Sequence, residues 1–458
     1  NKDLLNGLTQ DSENWDDMHQ AVLRDTFDRK NPIVFYNDHA DFQQTNTISS
    51  SIGVGTGGVT ESFKNRVIMP LTMSAQQTHH VLGHELVHAF QYNMVINGDS
   101  TNIRSFRNLP LWMVEGMAEY MSIGRVDAHT AMWMRDAVLN DDVPSIRQLQ
   151  NPKYFPYRYG QAFWAFLTGV YGDNVIQPFF MATAKYGMDA AIRKVLRTDT
   201  KSLSSLWVST LKKHYGEMMD GRKEKPFGRK LLHKENAGRL NLSPVLSPNG
   251  RYVLFFSEKS LFSLDLFLAD SRTGKIIRKV ASTLKDSGVD DFNSFESAGT
   301  WSPNSKSFAL VAVKKGKNIL LVKNVENGKT LQEIEIPGVP AISNPSWSPD
   351  GKSIVLTGLV NGQPDLYLYN LKRGTVEQLT NDSYSELQAR WLDDGSQIVF
   401  TTDFLSRQRG RVNGKWTYNL AILHTAGNRL TQLDVFPGAD NLNPHFDREG
   451  DIVFVSNR

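Results

Sequence analysis

The sequence predicts a multidomain protein in which an α+β domain is followed by an all-β domain built from repeated units. Helix-like apolar periodicity dominates residues 1 to about 220, whereas short alternating strands with turn signals recur from 241 onward. Between them, the segment GRKEKPFGRKLLHKENAG is charged and contains Pro and Gly, as domain connections commonly do. We therefore expect a first domain at 1–225, a linker at 226–240 and a second domain at 241–458.

The first domain combines short strands with longer helices. Short apolar runs predict buried strands at 33–36 and 66–69, and apolar periodicity predicts helices at 14–29, behind Pro110 as far as Gly124, and at about 161–171. The order Ser74-Ala-Gln-Gln77 is typical of a capping box, and it predicts another helix that runs to about Val95. Strands followed by helices are typical of an α+β domain.

The helix that follows Ser74 contains the pattern His84-Glu85-Leu-Val-His88. Two histidines four positions apart project from one helix face, so both imidazoles can bind one zinc ion. Glu85 lies beside this face, where it can take a proton from an attacking water and pass it to a leaving amine. The pattern therefore predicts a Zn²⁺ site with Glu85 as the general base.

Two histidines leave such a site short of a protein ligand, and the next predicted helix offers candidates. Glu115 and Glu119 are four positions apart in the segment PLWMVEGMAEY. We assign Glu115 as the third metal ligand and Glu119 as an acceptor for a ligand imidazole. The alternative is a pair of ordinary surface glutamates, but their Leu, Trp, Met and Ala neighbours argue against a fully solvated face.

These motifs, HELVH followed by W-x-x-E-G-x-A-E-Y, resemble the gluzincin clan of metallopeptidases, in the peptidase MA-like group. The resemblance covers about 30–215 and implies a gluzincin fold with a zinc-dependent peptidase activity. The segment Pro156-Tyr157-Arg-Tyr159-Gly resembles the P-Y-x-x-G of the aminopeptidase branch. By that match Tyr157 is the expected donor to the oxyanion, with Tyr159 as the alternative and simple packing as a third interpretation.

The segment Gly57-Gly-Val-Thr-Glu61 stands where this clan has its substrate-pairing edge strand, and a Gly-rich edge admits a peptide backbone closely. The Gly-x-Met-Glu-Asn form of true aminopeptidases is absent, so specificity for amino termini is not implied. His79 and His80 also precede the motif. We interpret both as structural neighbours of the site rather than as metal ligands.

The second domain repeats one pattern in five places. In each, a large apolar residue stands four positions before a turn residue, and in most an apolar strand follows the turn. These residues recur at intervals of about 45–55 positions, which is typical of propeller blades; they are Leu246, Trp301, Trp347, Trp391 and Phe446. We predict that the units are consecutive blades, with the tryptophans largely buried at equivalent positions. The alternative is a sandwich of unrelated hairpins.

The clearest unit, Trp347-Ser-Pro-Asp-Gly351, resembles the WD-like repeat of TolB-type propellers, and the resemblance covers about 243–458. It weakens at Trp391 and Phe446, where the Ser-Pro pair is lost. The fifth unit stops at Arg458 after one strand, and an open propeller would expose a sheet edge. We therefore expect the propeller to be incomplete in this chain.

Composition excludes several classes of function. The 458 residues carry a net charge of +3, too small to indicate a nucleic-acid partner. No apolar run of about 18 residues occurs, so we expect no transmembrane segment. The lack of cysteine excludes thiol nucleophiles and Cys-based zinc sites. The chain begins with Asn1 and has no basic-then-apolar leader, so we expect a processed form.

The function that these observations predict is hydrolysis of peptide bonds by a zinc peptidase acting on a peptide or protein substrate. The propeller is expected to dock a substrate or a protein partner of the cell envelope. Two alternatives stay open: a degenerate peptidase fold kept as an envelope scaffold, and a metallohydrolase with a non-peptide substrate. By resemblance alone, the protein is expected to be bacterial and extracytoplasmic, in the periplasm or associated with the outer membrane.

Overall fold

A computed structural model describes residues 2–48, 52–53, 55–64, 66–219, 228–260, 263–294, 299–412 and 414–458. Its contacts divide the chain into two compact units. The first comprises Asn1–Phe35, Gly58–Met69 and His79–Phe227, and the second comprises Tyr36–Gly57, Pro70–Thr78 and Gly228–Arg458. The predicted linker at 226–240 begins outside the described residues, which resume at Gly228.

The first unit is mainly helical, and the described residues of the second lie mainly in strands. Along the chain the helices are α1 (Lys2–Leu23), α2 (His39–Phe42), α3 (Ala75–Ile96), α4 (Leu111–Ile123), α5 (Ala128–Leu139), α6 (Pro156–Tyr171), α7 (Ile176–Tyr186), α8 (Met188–Ala191), α9 (Thr200–Met219), α10 (Lys234–Ala237) and α11 (Phe404–Arg409). Single 3₁₀ or π segments lie at Ser100–Asn108, Gln148–Gln150, Asp173–Val175 and Ile192–Leu196. The first helix lies earlier than the predicted 14–29, because its apolar face already begins at the buried Leu8.

Helix α3 begins where the sequence predicts. The Ser74 hydroxyl accepts a hydrogen bond from the backbone N–H of Gln77 at 3.0 Å, which satisfies one of the free donors of the first turn. Helices α4 and α6 cross with almost no space between their backbones. A Cβ at Gly116 would lie 2.3 Å from Gly160, and a Cβ at Gly160 would lie 2.0 Å from the Trp112 carbonyl oxygen. Glycine at both positions therefore allows the close approach of the α4 and α6 backbones.

A small sheet accompanies these helices. Its strands are β1 (Ile33–Tyr36), β2 (Val59–Glu61) and β3 (Arg66–Pro70), in the order β1-β3-β2. Strand β2 pairs antiparallel with β3 and lies at the end of this order, with Thr60 opposite Val67. The first unit therefore contains both helices and strands, and most of its buried core is helical.

The described residues of the second unit form five consecutive antiparallel sheets. Their strands are β4 (Asn241–Leu246), β5 (Tyr252–Ser260), β6 (Ser263–Asp270) and β7 (Ile276–Ala281); β8 (Val289–Phe292), β9 (Thr300–Trp301), β10 (Ser307–Lys314), β11 (Lys317–Asn324) and β12 (Thr330–Ile334); β13 (Ala341–Trp347), β14 (Ser353–Val360), β15 (Gln363–Asn370) and β16 (Thr375–Gln378); β17 (Glu386–Trp391), β18 (Gln397–Thr402), β19 (Asn419–His424) and β20 (Arg429–Leu433); and β21 (Asn441–Phe446) and β22 (Ile452–Ser456). Most sequential strands of a sheet pair as neighbours, as they do in propeller blades, whereas β8 and β9 both pair with β10. The predicted multidomain organisation and the all-β propeller-like region are confirmed.

The repeated turn has a specific structural role. The Ser348 hydroxyl donates to Asp350 at 2.7 Å and accepts from the backbone N–H of Ser353 at 3.0 Å. The Ser-Pro-Asn turns after β4 and β9 make the same two contacts. This side chain therefore fixes the hairpin that joins the first two strands of a sheet.

The tryptophans before these turns occupy related but not identical positions. Trp301 and Trp391 each donate their indole N–H at 3.1 Å to a carbonyl on the first strand of the preceding sheet. Trp347 instead donates to Gly351 of its own turn. Trp301 is buried, whereas Trp347 and Trp391 are only partly buried.

Candidate metal centre

The two histidines of the HELVH motif lie on one face of α3 and direct their rings toward the same point. The Nε2 atoms of His84 and His88 are 3.1 Å apart, and the ring planes are nearly perpendicular, at 81°. Glu85 is buried between them along the helix. The i, i+4 spacing therefore produces the juxtaposition that the sequence predicts.

Glu115 of α4 completes a triangle of donor atoms. Its Oε2 lies 3.3 Å from Nε2 of His84 and 3.3 Å from Nε2 of His88. Ligand atoms at 2.0–2.1 Å from a tetrahedral zinc ion are separated from one another by about 3.3–3.4 Å. Two imidazole nitrogens and one carboxylate oxygen are also a donor set that zinc prefers. The residues present therefore fit a zinc ion in both geometry and chemistry.

Each histidine of the triangle is oriented by a polar group on its other ring nitrogen. Nδ1 of His84 lies 3.2 Å from Oε1 of Glu119, and Nδ1 of His88 lies 2.8 Å from Oε1 of Gln91. Gln91 in turn donates to the carbonyl of Val114, next to Glu115, at 3.0 Å. Such contacts fix the tautomer and the direction of a metal-binding imidazole.

Glu119 is the centre of a larger polar network. Besides His84, its carboxylate contacts Nε2 of His80 at 3.2 Å and Nη1 of Arg158 at 3.0 Å. Arg158 also lies 3.4 Å from Asp127. His80, His84 and Glu119 are themselves close enough to hold an ion. His80 is therefore placed against the carboxylate that orients His84, as a neighbour of the triangle.

The electrostatics of the site favour a cation at the triangle. Burial alone would lower the pKa of His84, but hydrogen bonds to Glu115 and Glu119 outweigh it and raise that pKa to about 10. Burial would raise the pKa of Glu115, whereas its contacts with His84 and His88 hold it well below the usual range. The pKa of Glu119 is lowered by His80 and His84 in the same way. Any metal ion bound at this triangle would have to compete with the proton of His84.

Of the two candidate tyrosines, the structure places Tyr157 at the triangle. Its ring stacks on His84, with centroids 5.8 Å apart and planes at 21°. Burial and the nearby charge of Glu115 raise the pKa of Tyr157, so its hydroxyl keeps its proton at neutral pH. Tyr159 is buried against Tyr154 and Trp133. The two predicted alternatives therefore have different surroundings, one at the donor atoms and one in an aromatic cluster.

Two residues at this site, Gln91 and Arg158, were not singled out from the sequence. Gln91 could have been found, because it follows His88 by three positions and so shares its helix face. His80, which the sequence analysis interprets as a structural neighbour of the site, contacts Glu119. Arg158 carries no local signal, because its contact with Glu119 depends on how α4 and α6 cross.

A second group of acidic side chains lies in the propeller-like unit. Asp365, Asp382 and Glu386 place carboxylate oxygens within 4.8 Å of one another. Burial, with the charges of neighbouring aspartates, raises the pKa of Glu386 to about 10, and burial raises the pKa of Asp365 to about 6. No pattern in the sequence predicted this group.

Two family models match the chain. The TolB beta propeller domain (PD40) matches residues 290–458, and the family described as peptidase of plants and bacteria (BSP) matches residues 36–179. A search of curated proteins found no match. Each model covers less than half of the chain, and the second includes all the residues of the triangle.

Solved structures are also similar over part of the chain. TolB from Acinetobacter baumannii is 20% identical, with a TM-score of 0.37 and a match covering 48% of each chain. An oligogalacturonate lyase from Vibrio parahaemolyticus is 14% identical, with a TM-score of 0.31, and the match covers 50% of this chain and 76% of that one. The chain therefore spans about half the length of the first of these.

No helix in the part of the chain that the structure describes combines the length and the hydropathy that a bilayer span requires. By the family models, the chain is similar to a TolB propeller domain over residues 290–458 and to a peptidase family over residues 36–179.

Proposed function

We propose that this protein is a zinc-dependent peptidase of the gluzincin type, with the metal held by His84, His88 and Glu115. One observation carries the proposal: the three donor atoms lie 3.1–3.3 Å apart, as ligands of a single tetrahedral zinc ion do. The match to a peptidase family over 36–179 supports a peptide as the substrate. Glu119 then acts by orienting His84.

Zinc bound at this point would acidify a water molecule and polarise a carbonyl group. Glu85 takes the proton of the attacking water and delivers it to the leaving amine, a role that suits its place between the two histidines. Tyr157 keeps its hydroxyl proton at neutral pH and donates it as a hydrogen bond to the developing oxyanion. The chain thus supplies an acid–base group and an oxyanion donor beside the metal.

The match to a TolB propeller domain supports a role for the second unit in binding a protein, either the substrate or a partner. A propeller offers a rigid scaffold for such recognition. On the same resemblance we propose that the protein lies outside the cytoplasm, in the periplasm or at the outer membrane. Pull-down of envelope proteins with the full chain tests this part of the proposal.

Metal analysis and hydrolysis together test the enzyme proposal. The purified chain should contain one zinc per molecule by elemental analysis, and it should cleave an unfolded protein such as casein. Zinc without hydrolysis would favour a scaffold with a degenerate site. Hydrolysis restricted to ester or glycan panels would favour a metallohydrolase with another substrate class.

A further inference from the structure

The buried side chain of Glu85 is touched by a segment that lies about 25 residues earlier in the chain, at and before strand β2. This segment consists of Gly58, Val59 and Thr60, and it belongs to the same compact unit as the metal triangle. Its two contacts are of different kinds, one a hydrogen bond and the other a close van der Waals approach. Both act on the carboxylate end of Glu85.

The hydrogen bond comes from Thr60. Its Oγ1 lies 2.6 Å from Oε2 of Glu85 and 2.9 Å from the Glu85 backbone carbonyl oxygen. A hydroxyl group has one proton to donate, and the nearer acceptor is the carboxylate oxygen. Hydrogen bonds of an O–H to a carboxylate are among the short and strong ones. Thr60 therefore occupies one oxygen of Glu85 and leaves the other to the reacting groups.

The close approach comes from Gly58. A Cβ at this position would lie 2.7 Å from Cγ and 2.9 Å from Oε1 of Glu85, closer than real Cβ atoms come. Only glycine therefore lets the backbone approach the carboxylate this closely. The backbone at Gly58 fills space into which the Glu85 side chain could otherwise rotate. Together, this close approach and the hydrogen bond from Thr60 restrict the Glu85 carboxylate.

We infer that Gly58 and Thr60 are positioning residues for Glu85, which hold its carboxylate in the orientation needed for proton transfer. The inference rests on the proposed function, since it concerns the general base of that reaction. A misplacement of about 1 Å in a reacting group can cost about 100-fold in rate. Orientation by β2 should therefore appear in kcat, with little effect on zinc binding or on KM.

Thr60→Val and Thr60→Ser form the first test, because valine keeps the shape of threonine without its hydroxyl, whereas serine keeps the hydroxyl without the methyl group. Valine removes the donor, so we expect kcat to fall about 10- to 100-fold with zinc content and KM within about twofold of the parent. Serine keeps the hydroxyl and should restore kcat to within about threefold of the parent. A Thr60→Val enzyme with the parental kcat would overturn the inference, as would a serine variant as slow as the valine variant.

Gly58→Ala is the second test, with Gly55→Ala as its matched control. The new methyl group at 58 must displace Glu85, whereas a Cβ at Gly55 would meet nothing within 4 Å. We expect kcat to fall at least tenfold in Gly58→Ala and to stay parental in Gly55→Ala. Circular dichroism and the melting temperature identify any variant that has failed to fold.

Crystal structures of the metal-free variants supply a measurement that does not depend on activity. The Glu85 carboxylate should leave its parental position in Thr60→Val and Gly58→Ala and keep it in Thr60→Ser and Gly55→Ala. An unmoved carboxylate in the first two variants would overturn the inference. A parent protein that binds zinc and hydrolyses no peptide would overturn the proposed function alone, because the position of Glu85 would still show whether β2 holds it.

Discussion

Glu119 and Glu386 are both glutamates with almost no exposed surface, 4% and 3%, yet their surroundings shift their pKa values in opposite directions. Glu119 faces His80, His84 and Arg158, and the two histidines hold its pKa well below the usual range although burial opposes this. Glu386 faces the hydroxyls of Thr380 and Thr402 among aspartates, and its pKa is raised to about 10.

The difference shows that burial alone does not decide the charge of a carboxyl group, because opposite charges nearby can outweigh it. Both regions bring acidic oxygens close enough to hold an ion. Only the region around Glu119 adds imidazole nitrogens, and only there are the carboxylates held in the ionised form that binds metal. Around Glu386, burial and the like charges of Asp365, Asp382 and Asp403 favour a protonated acid that takes part in hydrogen bonds. The surroundings of Glu119 therefore suit metal chemistry, whereas those of Glu386 suit a structural role.

The largest expected effect concerns Glu85. Glu85→Gln has nearly the parental shape but cannot accept a proton at neutral pH, so peptide hydrolysis should fall about 10²- to 10⁴-fold. Zinc content should stay at one per chain, because this side chain is not one of the three donors. The matched control is Glu386→Gln, which makes the same chemical change in the propeller-like unit and should leave kcat unchanged. A Glu85→Gln enzyme as fast as the parent would show that the assigned mechanism is wrong.

Removal of a metal ligand should have the next largest effect. Glu115→Ala takes away one of the three donor atoms, so zinc affinity should fall at least about tenfold. Competition with a chelator of known affinity measures this change. Parental zinc affinity in Glu115→Ala would mean that another residue is the third ligand, and Glu119→Ala would then be the variant to examine.

Local patterns in the sequence predicted the elements on which the triangle depends. The spacing of His84 and His88 places both rings on one helix face wherever the helix packs, and the same holds for Glu115 and Glu119 on α4. The phase of the blade repeats was predictable for a similar reason, because each Ser-Pro-Asn or Ser-Pro-Asp turn makes its own hydrogen bonds.

The contacts between distant segments were not predictable in this way. Arg158 reaches Glu119 only because Gly116 and Gly160 let α4 and α6 approach so closely. Glu386 and Asp365 belong to consecutive sheets, and nothing in either segment indicates that their side chains meet. The grouping of 36–57 and 70–78 with residues 228–458 likewise depends on tertiary contacts rather than on sequence pattern.

A smaller effect on zinc affinity is expected from substitution of Arg158, which contacts Glu119. Arg158→Met removes a hydrogen-bond donor from Glu119 while keeping much of the side-chain volume, so the carboxylate is held less firmly against His84. Zinc affinity should fall about threefold to tenfold, with partial recovery in Arg158→Lys. Arg147→Met is the matched control, because Arg147 forms an exposed ion pair with Asp189. Equal zinc affinity in Arg158→Met and Arg147→Met would show that Arg158 does not help to orient His84.

The smallest expected effect concerns the stability of the propeller-like unit and depends on the protonation of Glu386. The pKa of Glu386 is raised from 4.5 to about 10 on folding, so the folded protein keeps a proton that the unfolded chain releases above about pH 4.5. Stability from this group is complete below that pH and is lost as the pH rises toward 10. The loss is at most about 1.4 kcal/mol per pH unit.

Glu386→Gln imitates the protonated acid and cannot ionise, so it should escape this loss. Between pH 5 and pH 9, the melting temperature of the variant, measured by calorimetry, should rise relative to the parent by at most about 3–6 °C per pH unit. Glu377→Gln, on the exposed surface of β16, is the control and should follow the parent at every pH. A constant difference between Glu386→Gln and the parent across this range would mean that Glu386 is ionised in the folded protein, and that the two acidic regions differ less than their surroundings indicate.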